Sequence, residues 1–164
     1  MDSYENKTDI RVVFRCLAFS IALILMNQIN MCAQNQEDEV RAVITRMFDG
    51  MRMGDSTMVR SVFSKEAIMQ TVVMNNAGKV VINKSSLANF LNAVDMPHDL
   101  VRDERIEFGD IKIDRPLATV WTPYSFYRGD QFSHCGVNSF QLYKSEEGWK
   151  VIYIIDTRRQ SACI

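Results

Sequence analysis

QFSHCGVNSFQLYKSEEGWKVIYIIDTRR, residues 131–159, decides the fold. Aromatic and β-branched residues dominate both flanks of Ser145-Glu146-Glu147-Gly148, and those four residues carry a turn signal. The stretch therefore reads as two long antiparallel strands joined by a tight turn. Immediately upstream, LATVWTPYSFY (Leu117 to Tyr127) reads as another strand, connected through Arg128-Gly129-Asp130. Before it, RIEFGDIKID (Arg105 to Asp114) alternates after Gly109 until Arg115-Pro116 breaks the run. The C-terminal half is thus expected to be one long antiparallel meander.

The preceding segment is mostly helical. In residues 36–54, Val40, Val43, Ile44, Met47, Phe48 and Met51 recur at helical spacing, with charge on the other face. Glu37 to Glu39 suit a helix N-terminus. Gly54 is placed to end this helix, and Asp55 or Ser56 to cap a short second one through Phe63. Ala67 to Met74 and KVVIN read as a hairpin around an NNAG turn. A third helix is expected from Ser85 to Asp95, with Leu87, Phe90, Leu91 and Val94 on one stripe and Pro97 closing it. Helices first and strands last give an α+β class, with a curved antiparallel sheet wrapped around the N-terminal helices.

The N-terminus reads as a targeting segment. Arg11 and Arg15 precede an apolar run, Cys16 to Met26, which is followed by a polar patch and Ala33. That pattern predicts a secretory signal over residues 1–33, with export to the periplasm or beyond. The run is shorter than the roughly twenty residues a membrane span needs. Cys32 would suit a lipoprotein, but Ile29-Asn30-Met31 is a poor lead-in for lipid modification. The leader holds three basic residues (Lys7, Arg11, Arg15) and three acidic ones (Asp2, Glu5, Asp9) of 19 and 20, so residues 34–164 keep the net charge of −1. Such a balance gives no footing for nucleic acid or an anionic membrane.

Taken together, a long first helix, a GDxxxVxxVF-type second helix and strands ending in GWKVIYIID resemble the nuclear transport factor 2-like (NTF2-like) superfamily, with its SnoaL-like and ketosteroid-isomerase-like branches. More narrowly, WTPYSFY, FSHCGVNSFQLYK and GWKVIYIIDTRR are similar to exported bacterial proteins described as putative lumazine-binding. The resemblance covers residues 36–159. It implies a cone with a pocket between the concave sheet and the helices, and a homodimer through the sheet's outer face. Relatives that catalyse isomerisation carry a carboxylate deep in the cone, opposite an oxyanion-binding group. No acid here sits inside an apolar strand: Glu107 and Asp110 look superficial, and Asp49 falls on the wrong face of its helix.

Hairpin arithmetic asks which polar residues of Phe132 to Phe140 meet. Pairing Tyr127 with Gln131 sets Tyr124 opposite His134 and places Tyr124, Phe126, His134 and Asn138 on one face. Across the next turn Asn138 meets Ile155 or Asp156; a one-residue slip would reverse the face. One reading makes this a pocket: His134 and Asp156 as an acid/base pair, Tyr124 and Asn138 as hydrogen-bonding groups, and aromatic wall drawn from Trp121, Phe126, Tyr127 and Phe140, which by alternation cannot all point inward. The plainer reading leaves His134 at a rim, bonded to a backbone carbonyl. Cys135 neighbours Arg158 or Arg159, so a bridge to Cys163 forms if the tail folds back, against a buried free thiol. Gly136 would let the strand bend.

Other signals are weak. A glycine-centred turn explains Arg128-Gly129-Asp130 without adhesion. His98 and His134 are the only histidines and no cluster has metal-ligand spacing. Neither a phosphate-cradling nor a dinucleotide motif is present, and no cofactor is expected. Met47, Met51, Met53, Met58 and Met69 suit an adaptable core or a pocket for a flat apolar ligand. The leading expectation is a non-catalytic module binding a small apolar or aromatic molecule. Its alternatives are an isomerase, dehydratase or hydrolase using Asp156 or His134 with Tyr124, or an interaction domain whose cone is filled.

Overall fold

The computed structural model describes residues 34–163. The expected signal sequence, residues 1–33, lies outside them. Helix α1 occupies residues 34–53, and its buried stripe is the one its spacing predicts: Val40, Ile44, Met47 and Phe48 are in the core. An i,i+4 pair, Glu37 with Arg41 at 2.6 Å, supports its outer face. Gly54, at φ 68°, turns the chain out of this helix. Asp55 then caps α2 (Ser56–Ser61) by accepting from the Met58 N–H at 2.8 Å. Ser86 does the same for α3 (Leu87–Asp95), accepting from Asn89 at 3.1 Å.

Seven strands make one sheet: β1 (Phe63–Met74), β2 (Val80–Ser85), β3 (Arg102–Ile106), β4 (Ile111–Asp114), β5 (Leu117–Arg128), β6 (Gln131–Ser145) and β7 (Gly148–Thr157). The order is β2-β1-β7-β6-β5-β3, and β4 pairs with the other end of β5. All neighbours are antiparallel except β1 and β7, which run parallel and make the sheet mixed. That pairing joins the two ends of the domain, and no local pattern announces it. β1 starts at Phe63, four residues before expectation, because Phe63 already pairs with Val151. β3 starts at Arg102, three before it, because Arg102 to Ile106 pair with Arg128 to Tyr124.

The β5–β6 register departs from the expected one. Arg128 pairs with Gln131 rather than Tyr127 with Gln131, and a bulge at Phe126/Tyr127 adds one more step. His134 therefore faces Phe126, and Tyr124 faces Gly136 instead of His134. Two single-residue shifts restore the parity from His134 onward, so Tyr124, Phe126, His134 and Asn138 keep their shared face; only Gln131 and Phe132, between the turn and the bulge, change theirs. On β6–β7 both expected registers occur, one on each side of a bulge at Gln141/Leu142, and Asn138 meets Asp156.

The core lies between α1 and the concave sheet, where Phe140 and Phe48 pack edge to face at 6.2 Å among Val120, Leu142 and Val151. Burying a side chain such as Phe140 contributes about 2–3 kcal/mol. Gly136 answers a different need. A Cβ there would overlap the Thr157 carbonyl oxygen and stand 2.8 Å from Tyr124 Cε1. The glycine lets the Tyr124 ring lie over β6 and lets β7 close in. Gly136→Ala is expected to cost about 2 kcal/mol, an overpacking penalty against backbone. Urea unfolding reads it, and an unchanged midpoint would show that the ring and carbonyl can move aside.

Behind Gly136, on the outer face, Cys135 is bridged to Cys163 with Cα atoms 5.8 Å apart. The tail folds back as the bridge requires: Cys135 and Arg159 exchange two backbone hydrogen bonds of 2.9 Å.

Candidate functional site

A cavity of about 460 Å³ opens between the concave sheet and the helices. Its apolar wall comes from Met47, Phe48 and Met51 on α1, Phe90 and Val94 on α3, and Met69, Phe126 and Ile154 on the sheet. The register builds its polar floor. Thr122, Asn138, Asp156 and Thr71 are successive cross-strand partners on β5, β6, β7 and β1, so their side chains share one face in a single row.

Hydrogen bonds run along that row. Asn138 Nδ2 donates to Glu104 Oε1 at 2.9 Å and to Thr122 Oγ1 at 3.3 Å. Thr71 Oγ1 donates to Asp156 Oδ1 at 2.5 Å. The Tyr124 hydroxyl, 3.4 Å from Asp156 Oδ2, donates to the Thr157 carbonyl at 2.9 Å. Asn138, only 3 % exposed, is thereby satisfied at the bottom of the site.

Two carboxyl groups share this floor. Burial pushes Glu104 up to about 7; Asp156 nearby raises it further, while the Asn138 hydrogen bond and Arg158 oppose. Burial also raises Asp156 against Thr71, Arg158 and Tyr124, which favour its ionised form. Tyr124 is likewise pushed up, chiefly by burial and then by the charges of Glu104 and Asp156 with Arg158 opposing, so it stays a neutral phenol.

His134 behaves unlike its expectation. It is 8 % exposed, stacked on Phe126 at 4.8 Å and edge-on to Tyr124 at 5.9 Å. Burial, with help from Arg158 and Arg128, pushes it down to about 4. It is therefore neutral at pH 7, and its Nδ1 lies 3.0 Å from the Ser133 hydroxyl rather than on a backbone carbonyl.

A family model described as "Putative lumazine-binding" matches residues 35–153. The chain belongs to that family. No curated protein matches it. Among solved structures, an NTF2-like protein of unknown function from Shewanella baltica is 18 % identical with a TM-score of 0.59, covering 77 % of this chain and 96 % of its own. A cystatin-like domain of unknown function from Nostoc punctiforme is 19 % identical at 0.60, covering 78 % and 80 %. An NTF2-like protein with a cystatin-like fold from Novosphingobium aromaticivorans is 11 % identical at 0.59, covering 94 % and 91 %. At these identities the likeness is one of fold, and the fold is NTF2-like.

Within this family member, Phe126, His134 and Asn138 line the cavity and Tyr124 reaches its floor, on the one face expected for these four; Asp156, for which the sequence left two registers open, lines it as well. Trp121 does not join them. It stands three residues from Tyr124, hence on the opposite face, and is 50 % exposed. Phe140 faces inward but is spent in the core against Phe48, below the cavity. The expectation that no acid lies deep in the cone is overturned by Glu104. Arg102-Asp103-Glu104 has no apolar alternation, and the sequence reading begins the strand only at Arg105; pairing with β5 extends it back to Arg102 and brings Glu104 inward.

Proposed function

We propose that the cavity binds one small molecule, with a flat apolar body held among the methionine and phenylalanine side chains and a polar edge on the floor. The observation that carries this reading is the joining of an open cavity of about 460 Å³ to a hydrogen-bonded floor holding two carboxyl groups. Lumazine, in the family's description, is a flat bicycle bearing ring N–H and carbonyl groups. Carboxylates accept from such N–H groups; the Asn138 N–H groups are already given to Glu104 and Thr122, so Asn138 holds the floor in place. The open space also argues against a filled cone serving only as an interaction domain.

The test is a titration with N-phenylnaphthylamine, a neutral aromatic probe that fluoresces in apolar surroundings. One probe per chain is expected, with affinity falling more than about tenfold (1.4 kcal/mol) in Ala93→Trp, which crowds the cavity from α3. Equal binding by parent and Ala93→Trp would place the probe elsewhere and sink the reading.

Glu104 favours a second reading, proton transfer on the bound molecule. A carboxyl group near 7 exchanges its proton readily at neutral pH, whereas neutral His134 is a weak base. The expected acid/base group therefore moves from His134 to Glu104, with Asp156 beside it. Turnover that rises through pH 7 and vanishes in Glu104→Gln while binding persists would establish catalysis. The Cys135–Cys163 bridge fits an oxidising compartment, and no described helix is long and apolar enough to cross a membrane. Both accord with export.

A further inference from the structure

We propose that the molecule bound in this cavity carries an anionic group, a carboxylate, phosphate or sulfonate, held at the mouth by Arg102, Arg128 and Arg158. The inference rests on the reading of the cavity as a small-molecule site and adds the ligand's charge and orientation to it. Strand alternation carries it. Arg102 lies two residues from Glu104 on β3, Arg128 two from Phe126 on β5, and Arg158 two beyond Asp156 at the end of β7. Each arginine therefore shares the face of a deeper cavity residue, and all three line the cavity.

They sit at one end of it. Arg102 and Arg128 are direct cross-strand partners on β3 and β5. β7 runs in the same direction as β5, so Arg158 belongs to that end as well. Arg128 and Arg158 are exposed, as groups at a mouth would be.

Opposed like charges on neighbouring strands repel. Elsewhere in the domain Arg41 is matched with Glu37, Arg52 with Asp49 and Asp103, and Arg105 with Asp103, whereas Arg46, Arg60 and Arg159 bond a hydroxyl or backbone carbonyls; what sets the mouth arginines apart is that three of them gather at one cavity. Among the described residues none of the three mouth arginines has a carboxylate within 4.0 Å. Arg102 spends one donor on the Ala93 carbonyl at 2.7 Å and keeps the remainder of its fork.

Their field is felt inside, where Arg158 and Arg128 both disfavour a proton on His134. The floor opposes it with Glu104 and Asp156, whose burial holds back their ionisation. Three fixed positive charges thus face fewer than two negative ones in a chain whose net charge is −1. Guanidinium forks match planar or tetrahedral oxyanions in two-point contacts. An anion at the mouth would relieve the repulsion and leave the apolar body pointing inward.

The experiment compares N-phenylnaphthylamine with anilinonaphthalene sulfonate, which has the same rings plus a sulfonate. Both are titrated into the parent, Ala93→Trp and the double variant Arg128→Met/Arg158→Met, with melting curves to confirm that each is folded. The sulfonate is expected to bind the parent at least about tenfold more tightly than the neutral probe, an advantage of about 1.4 kcal/mol. That advantage should shrink at high salt and disappear in the double variant, while the neutral probe binds both proteins alike. Equal affinities of the two probes for the parent would overturn the anion and leave the cavity reading standing. So would a sulfonate preference that survives the double substitution. If neither probe binds the parent, the cavity reading itself fails.

Discussion

Replacing Glu104 by glutamine is expected to raise stability at pH 8 by roughly 3 kcal/mol and to flatten its dependence on pH. Free glutamate ionises near 4.5, whereas burial holds Glu104 protonated up to about 7 in the fold. Between those values the unfolded chain releases its proton first, so rising pH favours unfolding. The favourable contribution is complete below 4.5 and gone above about 7; two and a half units correspond to about 3 kcal/mol. Asp156, also raised by burial, pushes in the same direction. Asp103, lowered by Arg105 and Arg52 despite its own desolvation, acts oppositely but below its ordinary value of 3.8, outside this window. Glutamine keeps the oxygen that accepts from Asn138 and removes the charge. Urea unfolding of both proteins at pH 5 and pH 8 decides the matter. A parent whose stability does not fall between them, or a variant that falls equally, would show that the Glu104 carboxylate is well solvated in the cavity.

This prediction concerns a residue the sequence did not single out, for a physical reason. Aromatic and β-branched residues between turn signals make strands visible, and β5, β6 and β7 are rich in them; β3 is an edge strand of charged residues whose place is set by pairing with β5. The arginine at its start and the acid two residues on become meaningful only once β5 lies beside them. By contrast, the shared face of Tyr124, Phe126, His134 and Asn138 was legible despite the wrong register, because side-chain direction depends only on whether the shift is odd or even; Asp156 was not, since two registers of β7 were open and pairing with Asn138 selects one. The turn closed one residue later and the bulge added one more, so from His134 onward no face changed. Trp121 and Phe140 failed as pocket residues for separate reasons: the first by parity, the second because Phe48 on a distant helix covers it. The lowered affinity of His134 for a proton was equally hidden, since it comes from burial and from Arg158, brought in on another strand.

The sheet, the cavity and the charges converge on one end of the domain. The ends of β5 and β7 and the start of β3 carry the three arginines, and Asp156, Thr157 and Tyr124 sit just inside. Gly136 permits the approach of β7 to Tyr124 there, and the bridge at the adjacent Cys135 ties down the chain beyond β7. Rigidity at this end would serve the proposed anion site, because arginines held in place lose less side-chain and backbone freedom when an anion binds.

Cys163→Ser is expected to cost about 3–4 kcal/mol, the other large effect. Cys135 and Cys163 are separated by 28 residues, and a loop of that length closed in the unfolded chain removes entropy worth about this much in the chain-entropy model. The native side of the balance changes little. Cys135, 2 % exposed, remains in place as a small apolar side chain, and the backbone pairing of Cys135 with Arg159 persists. Serine at 163 lies in an exposed tail and loses no packing of its own. The measurement is urea unfolding of parent and variant, each with and without reductant. Reductant should lower the parent's midpoint to that of Cys163→Ser and leave the variant's midpoint where it was. Were the loss due instead to contacts of the tail, the reduced parent would remain more stable than the variant, since it keeps every atom of that tail. Equal midpoints for the oxidised parent and the variant would mean that the unfolded chain is already compact enough across residues 135–163 for the bridge to constrain nothing.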